Sequence, residues 1–179
     1  MEIEVVEYDP RWPAQFGALR RSYEEALVGV PIVGIEHVGS TSVVGLAAKP
    51  VIDVDIVVAA GGVQAAIAAM GRIGFESRGE RGIQDRYALR APEGLHRTNT
   101  YVIVEGSLAL RNHLAIRDHL RRDVNLCHEY AALKRTLATS APVSASYVEQ
   151  KSAFLLGVLA IAGFTPDERQ AIEQANRLT

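Results

Sequence analysis

Two carboxylates, Asp53 and Asp55, lie in the run Val-Ile-Asp-Val-Asp-Ile-Val-Val from Val51 to Val58. The run is β-branched at nearly every position that is not a carboxylate, which predicts a strand. Side chains alternate across a strand, so Asp53 and Asp55 share one face, and Ile52, Val54 and Ile56 share the other. The two Cβ atoms then stand about 6.5–7 Å apart. Carboxylates this close on an apolar strand repel each other and lose hydration. A hard divalent cation between them, Mg²⁺ or Mn²⁺, relieves both effects and keeps open positions for phosphate oxygens. The alternative is a strand end whose carboxylates simply face water.

Upstream, Gly39-Ser40 ends an apolar strand and begins a turn, followed by Thr41 and Ser42. Glycine lets backbone N–H groups approach an anion, and the hydroxyls add donors. A donor-rich loop beside a metal-holding strand is what nucleotidyl transfer needs: one part grips the triphosphate, the other neutralises it. The plain alternative is an ordinary Gly-Ser turn. The segment from Gly39 to Gly45 lacks the GK[ST] ending of a Walker A loop, which argues against a P-loop kinase.

Sixteen of the nineteen cations are Arg, and only Lys49, Lys134 and Lys151 are Lys. Lys49 lies four residues before Asp53, where it can pair with a carboxylate or meet a ligand's phosphates. Lys151 falls on or beside the apolar stripe of a predicted helix, three after Val148 and four before Leu155. It is either a phosphate contact or a lysine whose stem covers core while its head reaches water. Arg117 and Arg121, one helical turn apart, could clamp a phosphate or a nucleobase, since Arg suits bidentate recognition. Asp118 and Arg122 read as a surface i,i+4 pair. His37 ends the first core strand and reads as structural. His96, His113, His119 and His128 show no HExxH-type spacing, so a zinc hydrolase is not supported. Cys127 is alone, which leaves no disulfide framework or CxxC site, and it reads as inert.

These residues need elements to position them. At 179 residues, with 48% hydrophobic and 22% charged side chains, the chain can build a sizeable core. A short strand is expected over 3–7, then Asp9 capping a helix with Pro10 at its first position. Trp12, Phe16, Leu19, Tyr23, Leu27 and Val30 form its apolar face and Pro31 ends it. Strands are expected over 32–37, 51–58, 74–79, 84–90 and 98–105, with a helix over 63–72. From Leu108 the pattern turns helical. His113, Ile116, Leu120 and Val124 make one stripe and Tyr130, Leu133 and Leu137 another. Helices over 143–162 and 167–177 follow. The expectation is one domain over 1–179: an α/β core over 1–106 and a helical half over 107–179 packed on it. A net charge of −2 argues against a generic nucleic-acid binder. The apolar run from Ala153 to Phe164 is too short to span a bilayer, and the N-terminus lacks the features of a signal peptide. The expected setting is the cytoplasm, without membrane association.

The segment Gly-Ser-Thr-Ser-Val-Val-Gly-Leu-Ala-Ala-Lys-Pro-Val-Ile-Asp-Val-Asp-Ile from Gly39 to Ile56 resembles the GrpB family. So do Tyr8 to Pro13, Leu114 to Arg121, Tyr130 to Lys134 and Tyr147 to Lys151. The resemblance implies an α+β, nucleotidyltransferase-like mixed sheet with an N-terminal helix and a C-terminal helical half. The residues themselves, placed on that fold, predict a Mg²⁺-dependent nucleotidyltransferase acting on a nucleoside triphosphate and an unknown acceptor. The residues in place for it are Asp53 and Asp55 for the metal, with Gly39, Ser40, Thr41, Lys49, Arg117 and Lys151 for the phosphates. Two departures from the family pattern matter. Many relatives lack an acid at the position of Asp55, and many carry a histidine where this chain has Thr98. Nucleotidyltransferases usually add a third carboxylate on that later strand, yet none falls between Thr98 and Val104, and Glu105 lies only at its end. A catalytically inactive nucleotide- or partner-binding module on the same fold is therefore the second reading.

Overall fold

The computed structural model describes residues 5–95, 97–139 and 145–177. Five strands form one mixed sheet: β1 (Ile32–Val38), β2 (Ile52–Val58), β3 (Glu76–Ser77), β4 (Arg86–Arg90) and β5 (Thr98–Val104). Their spatial order is β1-β2-β5-β4-β3. The central pair β2 and β5 is parallel and the other pairings are antiparallel. Helices α1 (Trp12–Ala26) and α2 (Val63–Arg72) belong to the first half. Helices α3 (Leu108–Arg122), α4 (Val124–Thr139), α5 (Ala145–Ile161) and α6 (Pro166–Arg177) complete the chain. Among the described residues, no helix is long and apolar enough to cross a membrane.

The sheet has two unlike faces, both set by the alternation of β2. Ile52, Val54, Ile56 and Val58 are buried against Trp12, Leu19 and Tyr23 of α1 and Val63, Ala66 and Met70 of α2. The Tyr23 hydroxyl on that face is satisfied, lying 2.8 Å from Thr100 Oγ1. The opposite face carries Asp53 and Asp55. Strand register places Glu36 and Val38 of β1 and Asn99 and Tyr101 of β5 beside them. Farther along that face, Val57 and Ile103 are apolar and pack under Ala109 and Leu110 of α3. Helix α3 therefore covers the same face that presents the carboxylates.

The helix boundaries have local causes. Asp9 does not cap α1 from the position expected: its carboxylate accepts the Arg11 N–H at 2.9 Å and binds the Arg11 guanidinium. The helix starts at Trp12, with Pro13 rather than Pro10 in its first turn. It ends at Ala26, before Gly29 at φ +82°. The stripe from His113 to Val124 is broken at Asp123, whose backbone is extended and whose Oδ1 accepts the N–H groups of Asn125 and Leu126. Val124 opens a new helix and is exposed. The expected strand over 3–7 reduces to Val6, bridged to Ala48, and residues 3 and 4 lie outside the described residues. So do Val143 and Ser144 of the helix expected over 143–162, and His96.

The helical half also seals the loop after β1. Val43, Leu46 and Ala47 are buried against Leu120 of α3 and Tyr130 and Ala131 of α4. A chain ending at Gly106 would expose these residues together with Val57 and Ile103. It is expected to be insoluble or to lack a cooperative melting transition, as read by calorimetry. A soluble 1–106 chain with one sharp transition would contradict this.

Candidate functional site

Gly39 couples the loop to the carboxylate strand. Its φ is +67°, and a Cβ placed there would lie 2.0 Å from Asp53 Oδ2. Only glycine tolerates both the backbone conformation and the contact. The chain then makes a 3-10 turn over Ser40–Ser42, tightened by the Ser42 hydroxyl donating to Gly39 O at 2.6 Å. Thr41 is buried; its hydroxyl donates to Val51 O at 3.1 Å and meets His37 Nε2 at 3.1 Å. This ties the loop to the start of β2. His37 stacks on Phe16, and burial, with Arg121 and Arg117 nearby, holds its pKa down at about 4. It is a neutral structural histidine.

A cavity of about 270 Å³ opens beside this loop. Ser40, Thr41 and Asp53 form one wall, and Lys49, Lys134 and Lys151 surround it. All three lysines of the chain thus converge on one cavity. Among the described residues, none of them is ion-paired to a carboxylate. Lys134 is 6% exposed; its Nζ donates to Ser40 Oγ and, at 3.1 Å, to Ala47 O, and lies 4.5 Å from the centre of the Tyr130 ring. Burial, with the charge of Lys151 beside it, brings its pKa down to about 7. Lys151 is lowered by burial and by Lys49, against the pull of Asp53. Lys134 joins the site in addition to the residues that the sequence predicts for it. Its signal was its place between Tyr130 and Leu137, on the buried stripe of α4.

The two aspartates have different surroundings. Asp53 borders the cavity and accepts the Asn99 Nδ2 hydrogen bond at 2.7 Å. Burial raises its pKa, against Asn99 and the nearby His113 charge. Asp55 is fully buried; its Oδ2 lies 2.7 Å from His113 Nδ1. Burial opposes the His113 charge, but Asp55 outweighs it and the net shift is upward. The sequence places His113 on a helical stripe and gives it no metal-site spacing. Its partner is 58 residues away, so no local pattern could have shown the pairing.

Two expected phosphate ligands have other work. Arg117 spends its guanidinium on Glu36 at 2.6 Å, Asp118 at 2.8 Å and His37 O at 3.2 Å, so it ties α3 to β1 and does not line the cavity. Asp118 pairs with Arg117 rather than Arg122. Arg121 donates twice to Ser42 O, at 3.0 and 2.8 Å, and holds the loop. Of the sequence candidates, Ser40, Thr41, Lys49, Asp53 and Lys151 come together, with Gly39 against Asp53 and Asp55 beneath. The third-carboxylate position is filled by Asn99 in register with Asp53 and by Tyr101 in register with Asp55. Glu105 is exposed just past the end of β5, roughly 20 Å along the strand from Asn99.

Among the described residues, no group of three or more His, Cys, Asp or Glu side chains is placed to hold a metal ion. Asp55 Oδ1 is nevertheless buried without a hydrogen-bond partner, next to Asp53 on the same face. An unpartnered carboxylate oxygen beside a second carboxylate is a donor set that a divalent cation would fit.

The family model described as GrpB protein matches residues 2–160. The chain belongs to the GrpB family. It is 31% identical over 156 residues to the UPF0157 protein YqkA of Bacillus subtilis (strain 168), covering 86% of this chain but only 45% of YqkA. The crystal structure of GrpB from Enterococcus faecalis superposes with a TM-score of 0.75 at 30% identity, covering 96% of this chain and 98% of that one. A crystal structure of the Cid1 poly(U) polymerase with MgGTP bound has a TM-score of 0.53 at 14% identity, covering 74% of this GrpB chain and 44% of Cid1. At that identity the likeness is one of fold, and the fold is nucleotidyltransferase-like.

A polyanion entering this cavity favours the charged form of Lys134. Free Lys134 sheds its proton near pH 7, so inorganic tripolyphosphate bound at pH 8 should bring a proton with it. Calorimetry in buffers of different ionisation enthalpy is expected to show net proton uptake, lost in Lys134→Met. Equal heats in all buffers for the unsubstituted chain would contradict it.

Proposed function

We propose that this GrpB chain binds a nucleoside triphosphate, with its phosphates among Lys49, Lys134 and Lys151, and transfers the nucleotidyl group to an acceptor. The supporting observation is the convergence of all three lysines on one cavity bordered by Ser40 and Asp53. Three amines facing one carboxylate form a site for a polyanion, since like charges held together without counter-ions repel. Lys134, anchored on Ala47 O, holds a fixed donor, while the exposed Lys49 closes the rim. Asp53 and Asp55 are the residues that would hold Mg²⁺, which would supply charge neutralisation at the phosphates. In the transfer, an acceptor oxygen forms a bond to the α-phosphorus, the α–β bridging P–O bond breaks, and pyrophosphate leaves.

A second reading is a nucleotide-binding module without turnover. It is favoured by Asn99 standing where a third carboxylate would accept the acceptor's proton, and by His113 occupying Asp55.

Both readings expect ATP, CTP, GTP or UTP with Mg²⁺ to raise the melting temperature, and Asp53→Asn to abolish the Mg²⁺-dependent part. Lys151→Met keeps length and packing and should weaken nucleotide binding by about 1.5–3 kcal/mol, the scale of a charged hydrogen bond. Release of pyrophosphate separates the two: release supports transfer, while stabilisation without release supports the silent module. No stabilisation by any of the four nucleotides would contradict both.

A further inference from the structure

A second cavity, of about 510 Å³, lies over β4 and β5 on the same sheet face as Asp53. The register of β4 places Arg86 beside Ile103 and Ala88 beside Tyr101, so Arg86, Ala88 and Arg90 project on the face of Asn99 and Tyr101. The antiparallel partner of Arg90 is Glu76, and Arg78 follows it on that face. Ala88 is the small residue between long ones and floors the groove. Four arginines, 78, 81, 86 and 90, line it, with no acidic side chain among the lining residues.

These guanidinium groups are under-neutralised. Glu76 alone serves Arg78 at 3.0 Å and Arg90 at 3.6 Å. Arg81 is exposed and enters no ion pair among the described residues. Arg86 lies 4.6 Å over the Tyr101 ring, and its Nε is buried without a hydrogen-bond partner. Planar guanidinium forks of this kind match the tetrahedral face of a phosphate. Asn99 lines both this groove and the lysine cavity, so the two anion sites meet beside Asp53.

We propose that the arginine groove binds a small phosphomonoester, and that an oxygen of this phosphate is the acceptor for the nucleotidyl group. This rests on the nucleotide-transfer reading above. A nonbridging oxygen of the phosphomonoester forms the new bond to the α-phosphorus, while the α–β bridging P–O bond breaks. Pyrophosphate leaves with the electron pair, and the product is a pyrophosphate diester joining acceptor and nucleoside. No proton moves, because a phosphomonoester with its second pKa near about 6 is already a dianion at neutral pH. The nucleophile therefore needs no carboxylate base, which accounts for Asn99 at the position in register with Asp53. The groove's volume is that of a small-molecule site, and the net charge of −2 favours a metabolite over nucleic acid.

The test uses the full chain saturated with an α,β-methylene nucleoside triphosphate, titrated calorimetrically with glycerol 3-phosphate, glucose 1-phosphate and phosphoserine. At least one should bind saturably, and the surface double variant R81Q/R90Q should weaken it tenfold or more while nucleotide affinity stays within twofold. With the hydrolysable nucleotide, that compound should release pyrophosphate and glycerol should not. The proposal is overturned if none of the three binds, or if R81Q/R90Q leaves their binding unchanged. It is also overturned if glycerol supports release, or if only a 5′-phosphorylated trinucleotide binds. If no nucleotide binds at all, the transfer reading fails by itself. Titration of the free chain and of R81Q/R90Q with the same compounds then decides the groove.

Discussion

Two carboxylates on a central strand must be compensated on a face that the fold covers, and much of the rest of the molecule follows from that requirement. Asp55 has no access to solvent, so a group from outside the sheet must meet it, and α3 delivers His113. Asp53 lies nearer the edge and is met by Asn99 from the parallel neighbour and by three amines across a cavity. The loop leaving β1 passes so close to Asp53 that only glycine fits at position 39. A charge buried without such partners would cost several kcal/mol. The helical half thus supplies His113, Lys134 and Lys151 as counter-charges, Lys49 coming from the loop before β2, and it also covers the apolar end of the sheet.

The two kinds of cation divide the labour. Arg117 and Arg121 use their forked donors on several fixed acceptors at once: Glu36, Asp118 and the carbonyls of His37 and Ser42. They hold α3, β1 and the loop in one arrangement and have little left for a ligand. Among the described residues, the lysines hold no carboxylate of their own. A guanidinium suits a permanent multidentate tie, whereas an ammonium is a compact charge on a flexible stem and shifts its pKa readily when buried. The arginines of the β3–β4 edge follow neither pattern: Arg78 and Arg90 share Glu76, Arg86 lies over the Tyr101 ring, and Arg81 enters no ion pair among the described residues.

What was legible in the sequence followed local chemistry. The period-two pattern of β2 places both aspartates on one face, and the apolar spacing over 63–72 predicts α2, whose bounds match. The family resemblance carried the mixed sheet and the helical half. The need for glycine at 39 was invisible, because the atom it avoids belongs to a side chain fourteen residues on. The partners of Arg117 are not legible because helical spacing says which residues share a stripe but not which strand that stripe meets. Glu36, in register with Asp55, captured it. His113 and Lys134 lay on stripes that looked like core, and they are half-buried and buried as core would be. Their roles come from partners on β2 and the Ser40 loop, which only the folded chain brings near.

An empty cavity with three ammonium groups would strain against its own repulsion, and the depressed pKa of Lys134 shows how the fold limits that. Buried, and with Lys151 and Lys49 adding their repulsion, Lys134 gives up its proton near pH 7 rather than holding a third full charge. Its nitrogen stays anchored to Ser40 and Ala47, so the geometry does not depend on the proton. The unfolded chain would hold that proton up to a pKa near 10.4. Between pH 7 and that value the unfolded state binds more protons, so this group's contribution to stability increases as pH rises through the window. Near neutral pH the amine is thus balanced between forms, and an anion placed beside it would favour the ammonium. The same burial that raises the Asp53 pKa lowers that of Lys134. Burial around one cavity thereby brings an acid and a base closer to neutrality together.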